Sequence, residues 1–224
     1  MQFFIKTLTS FILFILLFAN KIFIATSKIP IQPYYHDLTI VNEAILIKMN
    51  FETIRNEVKS IYRDFKIINN DLFFTGLGES KTDWTRLYLK WFKKIDPVGA
   101  KLCPQTIDIV QSMPNIQTAM ISVLKPGAKI VPHKGLYSGC IRLHMGLITP
   151  NSDECFINLD GKSYSWRDGE VILLDDSYLH YVENNTKQYR VILFCDIVRP
   201  MNFIGDTVNN FLINNLSEYT HREN

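Results

Sequence analysis

Two periodicities of apolar residues divide the chain. Over residues 122–200, short runs rich in β-branched residues alternate with Pro-Gly, Asp-Gly and Asn-rich turns, which is typical of an antiparallel all-β unit. Over residues 51–65, apolar positions recur instead at helical spacing with charged residues between them. The pattern predicts a mainly β domain over residues 51–200, with its β core at 118–200 and helices flanking it.

The first 26 residues are a separate hydrophobic segment. Lys6 precedes the nine-residue apolar run FILFILLFA, and Lys21 interrupts a second apolar run. A signal anchor and a cleaved signal peptide both fit this pattern, and residues 7–26 are about long enough to cross a bilayer, which takes roughly 20 residues. We expect membrane association through this segment, by single-pass insertion or through the secretory pathway, with no orientation assigned. A buried helix is the alternative.

The segments that flank the domain carry weaker patterns. Residues 27–50 contain two prolines and a Tyr-Tyr-His run, and they are predicted to form an extended linker. The Asn-rich residues 201–224 are predicted to be a tail that folds loosely or as one terminal helix. Aromatic residues at three-to-four spacing, Trp84, Tyr88 and Trp91, are predicted to pack into the core, with the wall of a substrate cleft as the alternative.

Charge and cysteine content narrow the functional class. The chain has 224 residues and a formal net charge of +2, without the concentrated basic face of a dedicated nucleic-acid binder, so no nucleic-acid partner is expected. Three of its four cysteines fall inside predicted strands, where a free thiol commonly packs as a small apolar group. The cysteines therefore do not identify the redox compartment.

Polar residues interrupt two predicted strands on one face only. In the strand that starts at Cys140, alternation places Arg142 and His144 on one face and only apolar residues on the other. In the last strand, Arg190 shares a face with Asp196. A buried guanidinium is costly without an anion, and a bound carboxylate would supply that partner.

Two histidines at strand ends complete the candidate chemistry. His133 ends one strand-like run and His180 lies in another, too far apart in sequence for a helical zinc pair. They converge if both strands line the mouth of one barrel. Two imidazoles in that position suit iron, copper or zinc.

From Ser122 to Pro200 the chain resembles the aspartyl/asparaginyl β-hydroxylase family of iron(II)- and 2-oxoglutarate-dependent dioxygenases. The order and spacing of several short motifs carry this resemblance. They are S-x-L-x-P-G at 122–127, P-H-x-G at 132–135, R-x-H-x-G-L at 142–147, W-x-x-G-E at 166–170, D-D-S-x-x-H at 175–180 and Arg190 ten residues later.

The resemblance implies a fold and a set of roles. The fold is a double-stranded β-helix, or jelly roll. The implied cofactors are Fe(II), 2-oxoglutarate as co-substrate and O2. The implied iron ligands are His133 and His180, and Arg190 would hold the distal carboxylate of 2-oxoglutarate. The residues implied to help hold the co-substrate are Ser122, Arg142 and His144.

Two positions depart from related patterns and bear on the substrate. Most dioxygenases of this fold have a third, carboxylate ligand two residues after the first histidine, where this chain has Gly135. Members that hydroxylate protein side chains share this two-histidine arrangement, which favours the β-carbon of Asp or Asn side chains as the target. Asp176 is then expected to orient water or a ligand imidazole, or else to cap its own turn.

Other residues favour a lipid. The animal enzymes that act on epidermal-growth-factor-like domains have an arginine where this chain has Cys140. The segments 155–170 and 192–200 resemble the bacterial branch that 2-hydroxylates lipid A acyl chains. Acyl-chain 2-hydroxylation is therefore the alternative to a protein substrate. Two further alternatives are a catalytically silent jelly-roll binding module and a zinc cupin that uses His133, His144 and His180.

Overall fold

A computed structural model describes residues 2–65, 83–92 and 94–220. The remaining positions of the predicted ranges, namely 1, 66–82, 93 and 221–224, lie outside the described residues. Six helices are present in this part of the chain, together with a 3-10 turn at Leu38–Ile40. The helices are α1 (Gln2–Thr26), α2 (Asn42–Met49), α3 (Phe51–Phe65), α4 (Pro97–Leu102), α5 (Pro104–Gln111) and α6 (Phe203–Thr220).

Eleven strands of the described chain form two antiparallel sheets. The larger sheet has the order β1-β9-β6-β11-β4-β2-β3 and the smaller has the order β5-β10-β7-β8. The strands are β1 (Tyr34–Tyr35), β2 (Trp84–Trp91), β3 (Lys94–Ile95), β4 (Ile116–Leu124), β5 (Lys129–His133), β6 (Cys140–Ile148), β7 (Cys155–Leu159), β8 (Lys162–Ser165), β9 (Val171–Leu174), β10 (His180–Asn184) and β11 (Arg190–Val198).

The chain from β4 to β11 passes repeatedly between the two sheets, which is the winding of a jelly roll. β4, β6, β9 and β11 lie in the larger sheet, and β5, β7, β8 and β10 lie in the smaller one. This unit spans Ile116 to Val198, and the predicted mainly β fold is confirmed. The observed span begins and ends two residues before the bounds predicted for the core, 118–200. The predicted amphipathic helix is also confirmed as α3, which buries Ile54 and Val58.

Alternation along the strands creates two separate apolar layers. Side chains such as Ile121, Leu143 and Leu193 point out of the larger sheet and pack with helix residues such as Ile47 and Ile54. The opposite faces enclose a second cluster between the sheets, which includes Leu124, Ile157, Leu174 and Ile192. The polar residues predicted to act in chemistry belong to this inner layer.

The segment predicted to be an extended linker is packed into the fold instead. Within residues 27–50, β1 pairs with β9, and Tyr35 is buried with its hydroxyl donating to the Pro30 carbonyl oxygen. Helix α2 buries Ala44 and Ile47 against the larger sheet. The linker prediction is wrong for two reasons. The prolines prevent helix formation only near themselves, so α2 can form further along, and Tyr34 and Tyr35 pair with the edge strand β9.

The aromatic spacing at 84–91 belongs to a strand and not to a helix. β2 pairs with β4, and Trp84, Arg86 and Tyr88 alternate along one face of β2. Trp84 lines a pocket between the sheets and also packs against the inner apolar cluster, so for this residue both the core prediction and the cleft alternative are observed. The pairing of β2 with β4 is irregular between Tyr88 and Lys90, and the rings of Tyr88 and Trp91 are in contact, with centroids 5.1 Å apart.

Helices α1 and α6 pack together beside the jelly roll. Ala19 and Phe23 of α1 are buried with Met201 and Leu212, and the amide N–H of Asn202 donates to the Thr26 carbonyl oxygen. The tail prediction of one terminal helix agrees with α6, as far as residue 220. None of the helices in the described residues has the length and apolar content needed to cross a bilayer.

Candidate active site

The two histidines predicted to bind a metal lie directly opposite each other. His180 at the start of β10 is the register partner of His133 at the end of β5, and the ring centroids are 4.1 Å apart. Antiparallel pairing brings these residues together although 47 positions separate them in sequence. The predicted convergence of the two imidazoles is therefore observed, whereas their role as ligands stays a prediction.

Both imidazoles are oriented by the backbone. Nδ1 of His133 lies 2.8 Å from the Val131 carbonyl oxygen, and Nδ1 of His180 lies 2.9 Å from the Tyr178 carbonyl oxygen. A carbonyl oxygen accepts only from a protonated nitrogen, so each ring carries its proton on Nδ1 and keeps a lone pair on Nε2. Such anchoring of the second ring nitrogen is usual for histidines that bind metals.

His180 stays neutral over a wide pH range. Its pKa is lowered to about 4, mainly by burial; the hydrogen bonds to the backbone of Tyr178 and Asp176 oppose this shift, and the charges of His133 and Arg142 add to it. A neutral imidazole is the form that coordinates a metal ion. The pair therefore fits a divalent metal that takes two nitrogen ligands and leaves its other positions open.

Six of the seven predicted site residues line one pocket between the sheets. The pocket contains about 420 Å³ of space not filled by protein atoms. The predicted residues in its wall are Ser122, His133, Arg142, His144, His180 and Arg190, joined by apolar residues of the inner layer and by Trp84. The remaining predicted residue, Asp176, contacts the site through Arg142.

Arg190 is a buried cation for which the described residues supply no carboxylate partner. The side chain is 3% exposed, its Nε has no hydrogen-bond partner among the described residues, and its Nη2 lies 3.4 Å from Ser122 Oγ. Its guanidinium stacks 4.7 Å from the centre of the Trp166 ring. Burial lowers the pKa of Arg190 to about 10.

His144 is a second buried polar group without a partner in the described part of the chain. Neither ring nitrogen has a hydrogen-bond partner there, and the ring packs 5.0 Å from that of Phe194. Burial, followed by the charge of Arg190, lowers its pKa well below the usual value. Buried polar groups are normally hydrogen-bonded, so Arg190 and His144 together indicate a place for a small anionic ligand with several oxygens.

Arg142 lies between two carboxylates. Its Nη1 is 2.7 Å from Asp176 Oδ2, and its Nε donates to Asp196 Oδ1 at 3.0 Å. Burial raises the pKa of both carboxyl groups while Arg142 lowers it. Asp175, and not Asp176, caps the turn, because its side chain accepts hydrogen bonds from the N–H and from the hydroxyl of Ser177. The predicted role of Asp176 in orienting water or a ligand imidazole stays a prediction.

The Asp176 side chain lies against Gly135. A Cβ atom added to Gly135 would lie 2.6 Å from Asp176 Oδ1 and would overlap the rest of that carboxylate. The N–H of Gly135 also donates to the Asp176 carbonyl oxygen at 2.8 Å. The carboxylate of Asp176 therefore fills the space that a side chain at position 135 would need.

Three contributors were missed by sequence reasoning. Trp84 donates from Nε1 to Ser122 Oγ at 2.8 Å, Trp166 lies under Arg190, and Asp196 pairs with Arg142. The alternation that placed Arg190 and Asp196 on one face was a usable signal for Asp196. The aromatic spacing raised Trp84 as a possible cleft wall, but its contact with Ser122 had no signal, because the two residues are 38 positions apart in sequence.

The three-histidine zinc site is not formed. No group of three or more His, Cys, Asp or Glu side chains within the described residues could hold a metal ion. His144 lies on β6 of the larger sheet, opposite Phe194, whereas His133 and His180 lie on the smaller sheet. The four cysteines are free and buried.

Comparisons with known proteins identify the family of this chain. A family model described as Aspartyl/Asparaginyl beta-hydroxylase matches residues 48–200. The ornithine lipid ester-linked acyl 2-hydroxylase of Rhizobium tropici is 32% identical over 213 residues, covering 93% of this chain and 75% of that protein. The human aspartate beta-hydroxylase domain-containing protein 2 is 28% identical over 181 residues, which is 77% of this chain and 48% of that protein.

Human aspartyl/asparaginyl beta-hydroxylase is 27% identical over 161 residues, so the chain spans only 21% of that relative. Among solved structures, a Pseudomonas putida prolyl-4-hydroxylase aligns with 75% of this chain and 94% of its own, at 13% identity and a TM-score of 0.46. The family model covers more than half of the chain, and the Rhizobium protein matches most of both chains. The chain therefore belongs to the aspartyl/asparaginyl beta-hydroxylase family.

Proposed function

We propose that this protein is an iron(II)- and 2-oxoglutarate-dependent hydroxylase whose substrate is a lipid acyl chain, hydroxylated at C2. The balanced reaction converts the lipid C–H, 2-oxoglutarate and O2 into the hydroxylated lipid, succinate and CO2. The observation that carries the proposal is a pair of imidazoles, each held through Nδ1 by a backbone carbonyl oxygen, in the same pocket as a buried guanidinium that lacks a carboxylate partner in the described chain.

His133 and His180 would hold the metal through Nε2, since their Nδ1 atoms are bonded to backbone carbonyl oxygens. Iron and 2-oxoglutarate, when bound, would supply the oxygen activation that hydroxylates a C–H bond. Asp176 is a positioning residue in this account. It is buried beside the Gly135 backbone and paired with Arg142, so it can accept a hydrogen bond from a polar ligand next to His133.

Arg190 would bind the distal carboxylate of 2-oxoglutarate. Its guanidinium is fixed by stacking on Trp166, which leaves its N–H groups to form two parallel bonds with a carboxylate. The hydroxyl oxygen of Ser122 already accepts from Trp84, so its own proton is free to be donated to the same carboxylate. The neutral His144 in the same pocket can donate to a carboxylate or carbonyl oxygen of the ligand.

The charges beyond the metal pair favour a substrate without a carboxylate. Arg142 faces two carboxylates, Asp176 and Asp196, so this cluster has no spare positive charge. Cys140, where related enzymes of acidic substrates have an arginine, is buried, and burial raises the pKa of its thiol well above the usual value. An aspartate side chain would meet uncompensated negative charge here. The Rhizobium relative, named for an acyl 2-hydroxylase, supports the lipid alternative over most of the chain.

A protein side chain is the second candidate. It is favoured by Gly135, because the two-histidine arrangement is shared with members that hydroxylate Asp or Asn residues, and by the human relatives named as beta-hydroxylases. An asparagine side chain, being neutral, would not meet the charge conflict that an aspartate meets.

Turnover with purified full chain tests the proposal. With Fe(II), 2-oxoglutarate and air, addition of lipid extract is expected to raise succinate formation and to add one oxygen atom to an acyl chain, as measured by mass spectrometry. His180→Ala should abolish both signals. A gain of oxygen on peptides and not on lipids would favour the second candidate, and undiminished turnover in His180→Ala would refute the ligand assignment.

A further inference from the structure

Helix α1 presents an apolar stripe that the described residues leave uncovered. Phe14, Leu17 and Phe18 are 68%, 64% and 62% exposed. They recur at i, i+3 and i+4, on the side of the helix opposite to the buried Ala19 and Phe23. Three large apolar side chains exposed together on one face indicate an interaction surface and not scattered exposure.

This stripe continues onto the loop that follows His133. The Asn20 side chain, one turn after Leu17, donates to the Leu136 carbonyl oxygen at 3.0 Å and accepts from the Ser138 N–H at 2.9 Å. Leu136 in this loop is 65% exposed. We call Phe14, Leu17, Phe18 and Leu136 the docking patch. Leu136 is three residues after His133, one of the two candidate metal ligands.

The charged residues of α1 and of the loop 134–139 are all lysines. Lys21, one turn after Leu17 and Phe18 on the same side of α1, and Lys134, next to His133, are exposed. Neither residues 1–36 nor the loop 134–139 contain any Asp or Glu. Aromatic and aliphatic side chains bordered by lysines, without carboxylates, complement a bilayer surface that carries negative headgroups.

We propose that the docking patch inserts into the interface of a bilayer containing anionic phospholipid, with Lys21 and Lys134 at headgroup level. The loop from His133 to Cys140 then lies at the membrane surface, beside the headgroup end of an acyl chain. This inference rests on the proposed lipid substrate, because a site at the interface reaches the carbon next to an ester without drawing the whole chain into water.

Sedimentation of the full chain with vesicles tests the docking patch. The wild-type protein is expected to bind vesicles of phosphatidylcholine with phosphatidylglycerol more tightly than vesicles of phosphatidylcholine alone. The triple variant Phe14→Ser, Leu17→Ser and Phe18→Ser should bind the mixed vesicles at least about tenfold more weakly, since three inserted apolar groups are lost. Lys21→Ala should weaken binding about fivefold, and only to the mixed vesicles.

Exposed residues on α2 supply the matched control. Leu46 and Met49 are 43% and 77% exposed and lie outside the docking patch, so Leu46→Ser with Met49→Ser should leave vesicle binding unchanged. An equal loss in this control would overturn the proposal. A wild-type protein that binds no vesicles, or a dimer that the triple variant converts to a monomer, would also overturn it.

The binding of 2-oxoglutarate to the Mn(II)-loaded protein separates this proposal from the proposed function. The triple variant should bind 2-oxoglutarate as tightly as the wild type, because the docking patch is outside the pocket. Binding of 2-oxoglutarate without vesicle binding refutes only the docking patch. Vesicle binding without 2-oxoglutarate binding refutes only the hydroxylase assignment.

Discussion

Ser122 holds its hydroxyl oxygen between two donors, Trp84 Nε1 at 2.8 Å and Arg190 Nη2 at 3.4 Å. Both bonds use lone pairs of the oxygen, so the hydroxyl proton must point elsewhere. The pocket is the open direction, and an anion beside Arg190 would accept it. One indole N–H therefore orients a donor toward the proposed ligand without contacting that ligand itself.

Trp84→Phe is expected to weaken 2-oxoglutarate binding by about 2- to 10-fold, which corresponds to the loss of one neutral hydrogen bond. The ring is retained, so packing in the pocket changes little. Calorimetric titration of the Mn(II)-loaded protein measures the effect. Trp91→Phe is the matched control, because Trp91 is on the same strand but outside the pocket wall. Equal effects of the two changes would contradict the role of Trp84.

Gly135 is required by the position of Asp176 and not by a special backbone angle, since its φ is not among the positive values. Gly135→Ala is expected to destabilise the protein by about 1–3 kcal/mol, because the new Cβ overlaps the Asp176 carboxylate. In an Asp176→Gly background the same alanine should cost little, so the two changes should be non-additive. Denaturant unfolding of the four proteins measures this coupling, and an equal cost in both backgrounds would refute it.

At the residue scale, motif spacing identified the members of the site but not their pairing. Arg142 was predicted to help hold 2-oxoglutarate, and it does line the pocket, yet its guanidinium is paired with Asp176 and Asp196. Such pairing depends on which strands are neighbours. The strands of Arg142 and Asp196 are neighbours although 54 positions separate the two residues in sequence, and no local pattern carries that information.

At the scale of elements, one buried guanidinium, that of Arg199, connects the loop after His133 to the turn before His180. Arg199 donates from Nε to the Ser138 carbonyl oxygen at 2.7 Å, in the loop after His133. Its Nη2 pairs with Asp175, at the turn before His180, and its Nη1 donates to the Tyr35 hydroxyl at 3.4 Å. Arg199 and Asp175 are both fully buried, so the pair sets the relative position of the two loops.

Arg199→Lys should lower the free energy of unfolding by roughly 1–3 kcal/mol, because an ammonium retains the charge but cannot make all three contacts. Since the loops carry the candidate ligands, Mn(II) affinity should fall about tenfold as well. Calorimetry and thermal unfolding measure the two effects. Tyr35→Phe removes the weakest Arg199 contact together with the hydrogen bond to Pro30, so stability should fall by about 1–2 kcal/mol while Mn(II) affinity changes little. Reduced stability with unchanged Mn(II) affinity would show that Arg199 supports the fold and not the site.

The elements were predictable to the extent that their pattern is local. Helix α3 follows from its apolar spacing, and the strands of the jelly roll follow from alternation and turns. The segment 27–50 was not predictable in the same way. β1 consists of only Tyr34 and Tyr35, and it exists because β9 offers an edge to pair with.

At the scale of the whole molecule, the two sheets contribute different residues to the pocket. The larger sheet contributes Arg190, Ser122 and His144 on its inner face and packs against helices with its outer face. The smaller sheet contributes the two histidines at one end of β5 and β10. In the proposed function, a metal held by the smaller sheet would face an anion held by the larger one, across the space between them.

Titration of 2-oxoglutarate into the Mn(II)-loaded full chain, without oxygen, tests this arrangement most directly. The expected result is one molecule bound per chain, dependent on Mn(II), and weakened by about 10- to 100-fold in Arg190→Met, where a charge-assisted pair is lost. The variant should fold at least as stably as the wild type, because a buried cation is replaced by an apolar side chain. Absence of binding to the wild type, or equally tight binding to Arg190→Met, would contradict the account.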